Sequence, residues 1–220
     1  MIRKIKKEIR ILGFDDAAFE LDVKADMRNK KLSRMSMKNR RAKDKPKVPV
    51  IGVIYRGGNF LDGALRTDIT VDGLDSTEQL IKLINGTRHK RQLRVIMLDG
   101  ITVGGFNIID IQKLNEKTGI PVIVYNRKMP DLERVRKALK NFKDYKKRWV
   151  LIERAGDLKE FKLKRGKKTY SVYYQSVGLS DKETEEIIKL SSTHGQIPEP
   201  LRIAHIIATA VVKGESAGRA

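Results

Sequence analysis

Two short runs constrain the fold more than anything else in this chain: RVIMLDG at 94–100 and IPVIVYN at 120–126. A strand with one wet face alternates apolar and polar residues. These runs do not alternate, so each predicts a strand covered on both faces. Between them, NIIDIQKLNEKTG (107–119) carries Ile108, Ile111 and Leu114 on one helical face and ends in a glycine. Strand, helix and strand in that order predict two parallel strands joined by a helical crossover, which is the α/β class.

Upstream, IRILGF (9–14), VPVIGVIYRGG (48–58) and ALRTDITVDG (64–73) read as three successive strands. TEQLIKLIN (77–85) is a helix that stops at Gly86, and DLERVRKALKNF (131–142) is another. Beyond them, RWVLIERAG and YSVYYQSVG read as strands, and SDKETEEIIKLSS and PLRIAHIIATAVV as helices. Three strands, then helix, strand, helix, strand, helix, is the order of an RNase H-like core, a mixed sheet flanked by helices. The expected division is a core over 1–150 with a basic loop at 26–47, and a C-terminal extension over 151–220 packed on it.

Charge gives the first functional signal. Lys and Arg total 47 against 27 Asp and Glu, a formal net charge of +20. Such a field favours a polyanion, so DNA or RNA is the expected partner. Residues 28–47 hold ten basic residues and one acid, and Arg28, Lys30, Lys31, Arg34, Lys38, Arg40 and Arg41 are the candidate backbone contacts. Further basic clusters are RHKRQLR (88–94), RVRKALKNFKDYKKR (134–148) and KLKRGKK (162–168). There is no cysteine, which excludes disulfides and thiolate chemistry, and three histidines make a poor basis for structural zinc. No apolar stretch reaches the ~18 residues of a membrane span, and a cytoplasmic location with no membrane partner is expected.

Against that charge the acids at strand ends need a reason. Asp15 and Asp16 close the first strand and Asp99 closes RVIMLD. In open sheets of this kind function collects at the carboxyl ends of parallel strands. If the two strands are adjacent and parallel, the acids meet, and their natural guest is a divalent cation, Mg²⁺ or Mn²⁺. Asp15 and Asp99 are therefore candidate metal ligands. Asp75 is the first choice for a third, with Asp72 and Glu78 as alternatives, although Asp75 and Glu78 also match a helix capping box. Gly104 and Gly105, with Asn107, precede a helix start and are candidate phosphate contacts. Arg127 and Lys128 end the second buried strand and are candidate catalytic cations.

Together, ILGFDDAAF, VIYRGGNFLDG, ITVDGLDST, RVIMLDGITVGGFNIIDI, GIPVIVYNRKMPD and GQIPEPLRIAHIIATAVVKGESAGRA resemble the archaeal family built on the domain of unknown function numbered ninety-nine. More remotely, the core is similar to endonuclease V, an RNase H-like, Mg²⁺-dependent nuclease that cuts near deaminated bases. That resemblance implies metal binding by Asp15, in GFDDA, and Asp99, in MLDGITVGGFN, and a catalytic cation at Arg127, with Lys128 next to it. The chain departs from the pattern in two places. DGLDSTEQ replaces the Ser-Phe-Arg run and glutamate of endonuclease V, and the aromatic, proline-rich wedge is missing.

The expected function is that of a nucleic-acid-acting, Mg²⁺-dependent phosphodiesterase-like protein. The rival readings are a non-catalytic nucleic-acid-binding module on the same fold and an enzyme for a small phosphorylated ligand. The C-terminal helix carries Glu199, Arg202 and His205 every three residues along one face, expected as a satisfied surface network.

Overall fold

A computed structural model describes residues 5–16 and 46–216 of the chain. The strands are β1 (Arg10–Asp16), β2 (Lys47–Arg56), β3 (Phe60–Thr70), β4 (Val95–Asp99), the short pair β5 (Thr102–Val103) and β6 (Asn107–Ile108), β7 (Val122–Asn126), β8 (Lys159–Arg165) and β9 (Lys168–Val177). The helices are α1 (Ser76–Gly86), α2 (Ile111–Thr118), α3 (Leu132–Leu139), α4 (Tyr145–Arg154), α5 (Asp181–Ser191) and α6 (Glu199–Lys213).

Seven strands form one sheet in the order β3-β2-β1-β4-β7-β9-β8. The first three make an antiparallel meander. β4 runs parallel to β1, and β7 parallel to β4. β9 returns antiparallel to β7 and carries β8, so the segment after α4 extends the same sheet. The mixed α/β architecture matches the RNase H-like expectation.

The unbroken apolar runs are the centre of the sheet because helices cover both sides. Leu12, Phe14, Ile96, Leu98, Val122 and Val124 point to one face, where Leu80 and Ile84 of α1 and Ile111 and Leu114 of α2 pack. Ile11, Val95, Met97, Ile123 and Tyr125 point to the other, beneath Ile187 and Ile188 of α5 and Leu201 of α6. Farther along α6, Ala204 and Ala208 close on Ile51 and Val53 of β2. A satellite cluster of Ile108, Leu139 and Ile152 seats α3 and α4 beside the β5–β6 hairpin.

Three local expectations are corrected. RWVLIERAG is helical, within α4, not a strand. Arg148 and Ile152 are its buried positions, four residues apart, and pairs at that spacing tie it locally, Asp144 to Arg148 and Trp149 to Glu153. The strand comes after it, in KEFKLKR, where Leu163 is buried and the lysines face water. The helix expected over 107–119 begins only at Ile111, because Asp110 caps it by accepting from the Lys113 N–H and residues 107–108 belong to β6.

Candidate active site

Strand register assembles the site. β1 and β4 pair in parallel from Ile11↔Val95 to Phe14↔Leu98, so the next step sets Asp15 beside Asp99. Side chains alternate along a strand, so both acids share the face of Ile11, Met97 and Tyr125. That face lies under α6. The helix comes this close because residue 13 is glycine: a methyl there would lie 2.5 Å from Cβ of Pro200. Five residues on from Pro200, His205 places Nδ1 2.8 Å from Oδ2 of Asp15. The N-terminal turn of α6 is fixed by Glu199, 1% exposed, which accepts from Arg202 and sits 3.1 Å from His194 Nδ1.

Burial dominates the electrostatics. It pushes the Asp15 carboxyl up to about 7, against the hydrogen bond with His205 and with help from the charges of Asp99 and Asp16. Asp99 is raised by the same cause, opposed by Arg127 and His205. Asp16 is also raised by burial, although the Gly104 N–H donates to its Oδ2 at 2.8 Å. His205 is raised, first by its bond to Asp15. At this edge burial disfavours the ionised carboxylates more than their partners among the described residues favour them.

Beside Asp99 opens a cleft of about 540 Å³, lined by Gly100, Asn126, Arg127, Lys128 and Gln196 as well. Arg127 and Lys128 are exposed at its rim. Tyr125 lies beneath it and donates to the Gln196 carbonyl at 2.6 Å.

Other candidates have different surroundings. Asp75 stands at the start of α1 but makes no side-chain cap. Its carboxylate accepts from the Thr70 N–H and hydroxyl and from Asn107 Nδ2. Burial works against its ionisation, but those hydrogen bonds hold it below the usual range. The capping-box expectation is thus corrected, and Glu78 pairs with Lys113 instead. Asp72, at φ +51°, accepts from the Phe106 N–H. Gly104 and Gly105 do not open a helix; they form the turn between β5 and β6. Gly105, at φ +85°, leaves no room for a side chain, since a methyl would meet Asp72 Oδ1 at 2.4 Å. Asn107 is fully buried, accepting from the Ser76 N–H and donating to the Thr70 carbonyl. Arg28, Lys30, Lys31, Arg34, Lys38, Arg40 and Arg41 lie outside the described residues.

Sequence reasoning missed two residues. His205 joins the site from 190 positions away; its only signal was the three-residue spacing with Glu199 and Arg202. Arg148 is 2% exposed and ties the 72–73 turn to the hairpin, donating to the carbonyls of Asp72, Gly73 and Phe106. It sat unremarked in a basic run.

Among the described residues, no three or more His, Cys, Asp or Glu side chains are grouped to hold a metal ion. Asp15 and Asp99 nevertheless suit Mg²⁺. They are hard oxygen donors whose ionised forms burial disfavours, and Mg²⁺ commonly takes one or two carboxylates and fills its shell with water and phosphate oxygens.

The model of the Endonuclease dU family matches residues 7–212. This chain belongs to that family. A UPF0215 protein of Methanosarcina mazei is 46% identical over 216 residues, covering 98% of this chain and 97% of the relative. Among solved structures, an Archaeoglobus fulgidus protein of unknown function is 35% identical with a TM-score of 0.74, covering 93% of this chain and 99% of that one. Ciona intestinalis endonuclease V, solved with an inosine-containing DNA, is 12% identical with a TM-score of 0.56, covering 94% of this chain and 87% of that one. This last likeness is one of fold. The Endonuclease dU family thus shares its RNase H-like sheet with endonuclease V, as the motifs anticipated. No described helix is long and apolar enough to cross a membrane.

Proposed function

We propose that this protein is a metal-assisted endonuclease that hydrolyses a phosphodiester bond of DNA at or beside deoxyuridine. The observation that carries the proposal is the placement of Asp15 and Asp99 at the carboxyl ends of adjacent parallel strands, one step beyond the Phe14↔Leu98 pair, next to an open cleft rimmed by Arg127 and Lys128. Membership of the Endonuclease dU family supports the reaction class and the base.

Asp15 and Asp99 would hold the ion. Bound there, a divalent cation supplies an activated water and charge stabilisation for the displaced oxygen. The chain's own groups do the rest. His205 hydrogen-bonds Asp15 through Nδ1 and keeps that carboxylate oriented. Arg127 faces the charge of Asp99 and presents donors to a phosphate from the cleft side. The open cleft favours a polymer over a small enclosed ligand. Residues 28–47 would add sequence-independent contacts to the backbone, with affinity that falls steeply as salt rises.

The test uses a duplex and a single strand, each labelled and carrying one deoxyuridine, against thymidine controls, with Mg²⁺, Mn²⁺ or chelator. Cleavage is expected only with metal and mainly in the deoxyuridine strand. Asp99→Asn should lose cleavage and keep binding. Uncut DNA under every metal condition, with binding intact, would overturn the nuclease reading in favour of a binding module.

A further inference from the structure

The basic cluster RHKRQLR at 88–94 has no part in the site above. It joins α1 to β4, so it lies where β1 and β4 begin, at the end of the sheet opposite Asp15 and Asp99. The Arg94 N–H donates to the Arg10 carbonyl at 3.0 Å, and Arg10 is the first residue of β1. At about 3.3 Å per residue, β1 alone separates this end from the acidic edge by about 20 Å.

Contacts join the cluster to the β2–β3 turn. Arg10 Nε and Arg56 Nε hold the two carboxylate oxygens of Asp62 at 3.0 and 2.9 Å. The Arg56 guanidinium lies over the Phe60 ring, 5.2 Å from its centroid. His89 sits by β3, its Nε2 3.6 Å from where a methyl on Gly63 would be. This end of the sheet therefore carries Arg10, Arg56, Arg88, Arg91 and Arg94, and Asp62 is the acid that bridges two of them. Arg88, Arg91 and Arg94 are exposed. Phe60 is 55% exposed and Leu61 49%.

A half-exposed aromatic ring among arginines, with Arg56 over one face, is the pairing that single-stranded nucleic acid needs, with cations for phosphates and an aromatic face for an unpaired base. Neither a duplex, whose bases are already stacked, nor an acidic protein surface would use the ring in that way. We propose that this end of the sheet is a second, sequence-independent surface for single-stranded nucleic acid, with Phe60 as stacking platform and the exposed Arg88, Arg91 and Arg94 as phosphate contacts. The surface is distinct from the acidic edge and does not depend on cleavage there.

The full chain is tested by fluorescence anisotropy with a labelled thymidine oligomer, in chelator, so that binding is read without metal or cutting. Phe60→Ala should weaken binding by about tenfold. Phe60→Trp should retain it, which separates stacking from a folding defect. Replacing Arg88, Arg91 and Arg94 together by Gln should flatten the plot of log affinity against log salt by up to about 2, at ~0.7 for each phosphate contact on a single strand. Wild-type affinity and slope in the Phe60→Ala and triple variants would overturn the proposal. So would competition by polyglutamate as effective as that of unlabelled oligomer, which would point to an acidic protein partner.

Discussion

Replacing Asp15 by asparagine should stabilise the metal-free protein, and more so at pH 8 than at pH 5. Asp15 is 6% exposed, and burial raises its carboxyl from 3.8 to about 7. An acid raised in the folded state contributes stability that is fully present below its unfolded value and lost as pH climbs through its folded one. The window here is 3.8 to about 7. Across it the folded protein forfeits about 4 kcal/mol, from roughly 3 pK units at 1.36 kcal/mol each. Asparagine cannot ionise, so it avoids that loss, but it exchanges a charge-assisted bond to His205 for a neutral one, at a cost of about 1–2 kcal/mol. The net gain at pH 8 is about 2–3 kcal/mol, or about 4–12 °C in Tm for a chain of this size.

At pH 5 most of the ionisation penalty is absent, and the weaker hydrogen bond should leave the variant no more stable than wild type. His205 reinforces the trend in the wild type. Its raised value means that its stabilisation is complete below its ordinary 6.5 and disappears as pH rises through the folded value. Urea unfolding in chelator at the two pH values gives the difference directly. A variant destabilised at both, or by the same amount at both, would refute the reasoning, because burial would then not be what governs Asp15.

Three further outcomes follow from the same geometry. Mg²⁺ should raise the wild-type Tm, more at pH 8 than at pH 6 because its ligands must lose their protons, and Asp99→Asn should abolish the rise in a thermal-shift titration. Gly13→Ala forces a methyl to 2.5 Å from Pro200 and should cost about 1–3 kcal/mol in urea unfolding; by lifting α6 it should also lower the pH dependence that the Asp15–His205 pair creates. Arg148→Met removes donors to three carbonyls and the partner of Asp144, and should cost about 3 kcal/mol or more by the same measurement.

The parts of the fold legible in the sequence are those where one local pattern decides the outcome. β4 and β7 are apolar up to their last residue because both sheet faces are covered. The run Trp149–Ile152 is equally apolar, yet it is helical. Periodicity cannot separate a short apolar strand from a helix turn, and the deciding contacts of Arg148 and Ile152 are tertiary. β8 escaped notice for the opposite reason, since its lysines mask the alternation of Phe161 and Leu163. Asp75 matches a capping box in spacing, but Thr70 and Asn107 offer its carboxylate better partners than the helix does. The Asp15–Asp99 edge was readable because strand ends carry it. The His205 contact was not, because it joins the first strand to the last helix and no local pattern encodes that distance.

The adjacency of Asp15 and Asp16 in so basic a chain follows from the same alternation. Neighbours on a strand point to opposite faces, so two acids in sequence need not share a site. Asp15 turns toward α6 and meets His205; Asp16 turns away and accepts from the Gly104 N–H of the β5–β6 turn. The Asp16 N–H in turn donates to Oδ1 of Asp15 at 2.8 Å, which ties the two orientations together. Gly104 also accepts from the Asp72 N–H, and Asp72 holds the Phe106 N–H, so the turn is gripped by acids from two directions. The two aspartates therefore divide the work. Asp16 anchors the hairpin on one face of the sheet, and Asp15 on the other has His205 as its ion-pair partner among the described residues. Burial disfavours the ionised form of Asp15 there, and a divalent cation held by it would offset that cost. An Asp16→Asn substitution should accordingly loosen the β5–β6 turn, seen as faster amide exchange at Gly104 and Phe106, while the Mg²⁺-induced rise in Tm persists. Loss of that rise with the turn intact would instead make Asp16 a ligand and end the division of roles.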